Sequence, residues 1–188
     1  MKRLLRDAIE IAAVVLLLTV LLNTVVDRRQ VDGPSMDPTL HGGQRVVANK
    51  LAYSPFVSQA FAALDPNDSY DHPGTPHRGD IVVLKRPGQA DSPDLVKRVI
   101  GLPGETIEVR AGTVYINGRA LAEPYVVHED AGWLPPTRIP PGYVFVMGDN
   151  RTNSLDSRSF GPVAINSLLG KVWLRYWPLT DVSLLAAP

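Results

Sequence analysis

The chain of 188 residues contains no cysteine. Disulfides, thiolate metal sites and a cysteine nucleophile are thereby excluded, and a location on either side of a membrane stays open. It also lacks a dominant sign of charge, since 19 Lys and Arg stand against 19 Asp and Glu. A surface that tracks phosphates would be basic, so a nucleic-acid partner is not expected. Beyond the first thirty residues no second long apolar run occurs, so at most one helix is expected to cross a membrane. What is plentiful is turn chemistry: 17 prolines and 15 glycines. They favour short strands joined by tight connections, in a chain with room for one domain and a real core.

The segment Ala8 to Val26 is apolar apart from Glu10, Thr19, Asn23 and Thr24. As a helix it would reach about 28 Å, close to the hydrocarbon thickness of a bilayer. A single transmembrane helix over 8–26 is therefore expected. A cleaved signal peptide also has a basic start and an apolar middle, but this run is longer than a usual apolar core, and LNTVVDRRQ after it offers no small-x-small cleavage site. A buried core helix would need a polar face, which the middle of the run lacks. Lys2, Arg3 and Arg6 precede the run and Arg28 and Arg29 follow it. This slight excess favours a cytoplasmic N-terminus over residues 1–7, with residues 27–188 forming an extracytoplasmic β domain at the cell membrane.

The remainder reads as mainly β and antiparallel. QRVVANKL (44–51) and DIVVLK (80–85) are β-branched runs following Gly43 and Gly79, and LVKRVI, TIEVR, TVYING and GYVFVMG repeat the pattern. Ala111-Gly112 and Asn117-Gly118 sit where hairpin turns are needed, and the second pair favours positive φ. Residues 54–78 change to loop-forming composition with a short helical piece, SQAFAAL, and read as a surface excursion between two strands.

Three segments carry candidate chemistry. VDGPSMDPTL (31–40) places Ser35 between Pro34 and Met36, a setting in which serine is ordinarily a turn residue. LVKRVIGLPGE (95–105) places Lys97 among Leu95, Val96, Val99 and Ile100. On a strand Lys97 and Val99 share one face while Val96 and Arg98 share the other, so one of two adjacent cations must point where its apolar neighbours point. A lysine snorkelling at a sheet edge would satisfy the same pattern. GDNRTNSLDSRSFGPV (148–163) follows an apolar strand and gathers hydrogen-bonding side chains, either as a solvated loop or as an orienting network.

Taken together, in this order, the apolar span, VDGPSMDPTL, QRVVANKLAY, RGDIVVLK, VKRVIGLPGE and GDNRTNSLDSRSFGPV resemble the bacterial type I signal peptidases, or leader peptidases. The resemblance implies a membrane-bound serine endopeptidase with the family's coiled β domain. It implies cleavage of signal peptides from exported preproteins after a small-x-small motif, without metal or cofactor. By that similarity Ser35 is the nucleophile, Lys97 the general base, and Ser154 the hydroxyl that orients the lysine. Arg98, Asp149, Asp156 and Arg158 match the family's salt-bridged scaffold. Val31, Met36, Leu40, Val46, Val83 and Val96 would line the shallow pockets for small substrate residues. Where some members carry a serine two positions before the nucleophile, this chain has Gly33, so the backbone N–H of Ser35 must carry more of the oxyanion stabilisation. For lysine to act as a base it must be neutral, and burial among apolar residues is the force that depresses its pKa.

Three other readings compete. A soluble self-cleaving Ser/Lys protease of the repressor type would carry an N-terminal DNA-binding domain instead of an apolar span. A Ser/His/Asp hydrolase would draw on His41, His72, His77 or His128, none of which sits in a recognisable motif. A non-catalytic anchored β module would keep Ser35 far from Lys97.

Overall fold

The computed structural model of the chain describes residues 2–64, 74–89, 91–127 and 130–185. Helix α1 (Lys2–Val25) passes directly into strand β1 (Val26–Gln30). The expected span over 8–26 is thus one helix that begins at the basic start and ends one residue early, because Val26 already pairs with Asn49 as a strand residue. From Arg6 to Val25 the helix is long and apolar enough to cross a membrane, and none of it is buried against the rest of the chain.

After β1 come β2 (Arg45–Asn49), a 3-10 turn (Lys50–Tyr53), α2 (Pro55–Leu64), β3 (Ile81–Leu84) and β4 (Leu95–Gly101). Next follow β5 (Thr106–Arg110), β6 (Thr113–Ile116), β7 (Arg119–Ala120), β8 (Leu134–Arg138) and β9 (Tyr143–Met147). The chain closes with α3 (Ser157–Phe160), β10 (Val163–Ala164), β11 (Leu168–Trp177) and β12 (Ser183–Leu184). The helical piece expected at SQAFAAL is the larger part of α2, which starts earlier, at Pro55, a residue suited to a first helical turn. Residues 65–73 of the 54–78 excursion lie outside the described residues.

All strand pairs are antiparallel and fall into two sheets. The larger runs β1-β2-β11-β3-β4-β9-β10 with β12 beside β11, and the smaller runs β7-β6-β5-β8. The mainly β, antiparallel architecture agrees with the composition. Both expected hairpin turns are present: Ala111 and Gly112, then Asn117 and Gly118, all have positive φ, the geometry that suits the twist of a two-residue hairpin.

The sheets share a core. Ile100, Phe145 and Met147 from the large sheet pack against Ile107, Val109, Val114 and Ile116 from the small one. A Cβ on Gly101 would collide with Ile139 in this seam. Strand β4 is buried along most of its length, and in register Lys97 lies beside Val82 and Arg98 beside Ile81. On its other side β9 pairs only from Arg98 onward, through Arg98 with Met147 and Val99 with Val146. Among the described residues, the first three residues of β4 therefore leave one backbone edge without a strand.

Candidate active site

Ser35 sits in the turn region that follows β1, and its segment is tied down at several points. The Val31 N–H donates to Gln44 O at 2.9 Å, Leu40 N–H donates to Met36 O at 2.9 Å, and the carbonyl of Ser35 accepts from Asn150 N–H at 3.1 Å. Among the described residues, the N–H of Ser35 donates no hydrogen bond, so it can meet an incoming oxyanion without first breaking one.

Lys97 reaches this serine from β4. Its Nζ lies 2.7 Å from Ser35 Oγ and 2.8 Å from the carbonyl oxygen of Val96, with only 2% of the residue exposed. Burial lowers its pKa from the ordinary 10.5 to about 8, although Asp156 and Asp149 both pull it upward. Desolvation outweighs the two carboxylates because both already have guanidinium partners.

Those partners form the framework. Arg98 grips Asp149 with two hydrogen bonds, Nε to Oδ1 at 2.8 Å and Nη2 to Oδ2 at 2.7 Å, and its Nη1 donates to Gly79 O at 2.9 Å. Thr39 Oγ1 donates to Asp149 Oδ2 at 2.5 Å, which couples the serine segment to the same pair. Asp156 accepts Gly148 N–H at 3.0 Å and Arg158 Nε at 2.9 Å. Burial works against its ionised form, yet these donors hold its carboxyl below the usual carboxylate range. The four expected scaffold residues thus come together as two ion pairs flanking Ser35 and Lys97.

Ser154 stands beside them, against Asp156. Its buried hydroxyl turns to Asp156 and helps hold that carboxyl ionised, while Lys97 is held by Ser35 and Val96. The six residues expected to line substrate pockets do meet in one cluster, but Val31, Met36, Leu40, Val46 and Val83 are nearly or wholly buried in it while Val96 packs at its border. Val83 and Val96 alone of these reach a groove of about 300 Å³, whose other walls are Arg28, Arg29, Gln30, Asp32, Pro93 and Asp94.

Several contributors were not singled out from the sequence. Arg151, with its side chain 2% exposed, pairs with both oxygens of Glu123 at 2.9 and 2.6 Å and donates from Nε to Gly148 O at 3.1 Å. Tyr125 lies with its ring 4.0 Å from the Arg98 guanidinium, and Asp130 receives Arg158 at 2.7 Å. The segment between β7 and β8 therefore clasps the 148–158 loop. A charge-dense loop was the only sequence signal for Arg151, and nothing local pointed to Glu123.

Among the histidines, His41 Nδ1 is 2.5 Å from Asp37 Oδ1, and His77 lies near Asp80. Ser35 Oγ instead meets Lys97. His72 and His128 lie outside the described residues. Among the described residues no three His, Cys, Asp or Glu side chains converge as a metal site.

The chain is similar to several known proteins. A family model described as "Signal peptidase, peptidase S26" matches residues 4–177. Signal peptidase I of Bacillus amyloliquefaciens is 37% identical over 163 residues, 81% of this chain and 74% of that protein. Probable signal peptidase I-1 of Synechocystis is 37% identical over 180 residues, 92% of this chain and 83% of that protein. A crystal structure of a signal peptidase I from Enterococcus faecalis is 37% identical, with a TM-score of 0.45, covering 52% of this chain and 96% of that one.

Proposed function

The chain belongs to the signal peptidase family, peptidase S26, serine peptidases that remove signal peptides, and from that premise we propose that Ser35 and Lys97 are the dyad with which it cuts preproteins after a small-x-small motif. The observation that carries the assignment is the 2.7 Å hydrogen bond between a buried Lys97 Nζ and Ser35 Oγ.

Neutral Lys97 takes the proton of Ser35 Oγ as the oxygen attacks the scissile carbonyl. The backbone N–H of Ser35 receives the oxyanion. The lysine then passes its proton to the leaving amine of the mature protein, and an acyl-enzyme remains. A water that gives its proton to Lys97 attacks this ester, and as the acyl C–O bond breaks Lys97 returns that proton to Ser35 Oγ. Ser154 supplies the hydroxyl that orients the neutral amine as bonds rearrange, a role supported by its place against Asp156, the carboxylate that acts most strongly on Lys97. The two ion pairs around Asp149 and Asp156 keep the base and the nucleophile in register.

The substrate enters as an added strand along the open edge of β4, with small side chains directed at the cluster of Val31, Met36, Leu40, Val46, Val83 and Val96. Small residues suit these walls because the cluster is already nearly closed, and a large side chain would have to push it apart. Helix α1 is the anchor, with residues 1–7 in the cytoplasm. At most about 30 Å of extended chain separates Val26 from Ser35, which keeps the site near the bilayer surface where signal peptides emerge.

The test is to incubate the detergent-solubilised chain with a preprotein and map the cut by mass spectrometry. Cleavage directly after a small-x-small sequence, lost in both Ser35→Ala and Lys97→Ala, is expected. Substantial cleavage by folded Lys97→Ala would overturn the dyad, and a cut elsewhere would overturn the specificity.

A further inference from the structure

From Leu51 to Leu64 the chain carries no charged residue, yet it includes Leu51, Tyr53, Phe56, Val57, Phe61 and Leu64. The structure folds this stretch as the end of the 3-10 turn and the whole of α2. Phe56 is 81% exposed and Leu51 39%. A lone exposed apolar side chain is ordinary, but a ten-residue helix whose polar side chains are only Ser58 and Gln59 has no charged face to offer water.

Its position supplies the reason. Lys50, which opens the 3-10 turn, donates from Nζ to the carbonyl oxygen of Asn23 in the last turn of α1 at 2.8 Å. Leu22, Asn23, Val26, Asp27, Arg28 and Lys50 line a cavity of about 310 Å³ between the two elements. The uncharged stretch thus starts where the proposed anchor leaves the hydrocarbon. Lys50 and the exposed Arg28 stand at the same level, where phosphates of anionic lipids lie.

We propose that the 3-10 turn and α2 form a second membrane contact, an interfacial helix that lowers Leu51 and Phe56 into the bilayer surface beside the exit of α1. This rests on the anchor reading given above. A single helix joined directly to β1 leaves the β domain free to tilt over the membrane; a second contact sets the angle at which the open edge of β4 faces emerging signal peptides.

The absence of native cysteine makes the test clean, because a single introduced thiol is the only one to label. The full chain is reconstituted into liposomes of phosphatidylcholine with phosphatidylglycerol, bearing a nitroxide at Phe56→Cys, at Val15→Cys in the middle of α1, or at Arg119→Cys on the β6–β7 hairpin. Relaxation by oxygen, which concentrates in lipid, is compared with relaxation by a water-soluble nickel chelate. Position 56 is expected to favour oxygen, falling between positions 15 and 119. Were 56 as open to nickel as 119 while 15 sits in lipid, the second contact would be refuted and the anchor retained. Were 15 itself in water, both would fail. Dipolar broadening between labels at 56 would assign the face to a second copy and refute the bilayer. As a functional arm, Phe56→Asp is expected to slow cleavage of a liposome-embedded preprotein by about tenfold or more, the scale of one aromatic side chain kept out of an apolar phase. Cleavage of a short soluble peptide in detergent should not change. Equal slowing of both substrates would refute the proposal by showing damage to the site itself.

Discussion

The Cβ that Gly148 lacks would fall well inside contact distance of the Ser35 carbonyl oxygen, and also of Ser154 Oγ and Cβ. Backbone conformation is not what demands glycine here, because Gly148 is not among the residues with positive φ. Space is. The Gly148 N–H donates to Asp156 and its carbonyl accepts from Arg151, so the backbone cannot retreat cheaply. In Gly148→Ala the Ser35 segment is the part that gives way. A displacement of about 1 Å at a nucleophile costs on the order of a hundredfold in rate. Purified Gly148→Ala should therefore lose about a hundredfold in kcat/KM while keeping its circular dichroism, and near-normal activity would show that this contact does not fix Ser35.

The pH dependence follows from Lys97. Only its neutral form accepts the serine proton, and its pKa lies at about 8. Activity should climb through an acid limb centred near 8 and level off above it. A histidine base would centre that limb near 6.5 instead. Measuring kcat/KM against pH for a soluble peptide decides between them.

Glu123 and Arg151 offer a test of the clasp on the 148–158 loop. Their side chains are 9% and 2% exposed. Glu123→Gln leaves a buried cation without its counter-charge, a change that costs about 3–5 kcal/mol in comparable pairs. For a chain of this size that corresponds to a Tm lower by roughly 6–20 °C. Adding Arg151→Met removes the orphaned charge and should return part of the loss. Thermal unfolding of the two single variants and the double variant checks this, and strict additivity would deny the coupling.

Much of the fold was legible because β2, β3, β4, β5, β6 and β9 are short β-branched runs bounded by turn residues. The strands that went unread break that pattern. β1 is VDRRQ, three charges in five residues, and is a strand only because the edge of β2 is there to pair with it. β8 is LPPTR, whose prolines suit a place at the border of the small sheet beyond β5. β11, LLGKVWLRYW, is central, yet register shifts between Val172 and Leu174 and between Arg175 and Trp177 disturb the period-two alternation. At the site, neither Ser35 nor Lys97 was distinctive alone, since a hydrogen bond across 62 positions leaves no trace in local spacing; the ordered set of motifs singled them out. Glu123 and Arg151, 28 positions apart on different segments, had no such motif to join them.

The last prediction sets stability against activity at one residue. Lys97 has a pKa near 8 in the folded chain against 10.5 in water, so between those values the unfolded state binds more protons than the native one. Stability then rises with pH across this window. Above 10.5 the lysine is neutral in both states and its ionisation carries no penalty; below 8 the penalty is complete, about 3 kcal/mol at roughly 1.4 per unit. Lys97→Met keeps the apolar stem, fills most of the volume and removes the ionisable group. It gives up the bonds to Ser35 and Val96, which offsets part of the gain at about 1 kcal/mol each. The inactive Lys97→Met protein should thus unfold about 1 kcal/mol less readily than wild type at pH 7. The advantage should shrink through pH 8 to 10 and be absent or reversed above 10.5. Urea unfolding of both proteins at pH 7 and pH 10.5, in the same detergent, measures the difference. A variant equally destabilised at both pH values would mean that burying Lys97 costs the fold nothing, and its lowered pKa would need another cause.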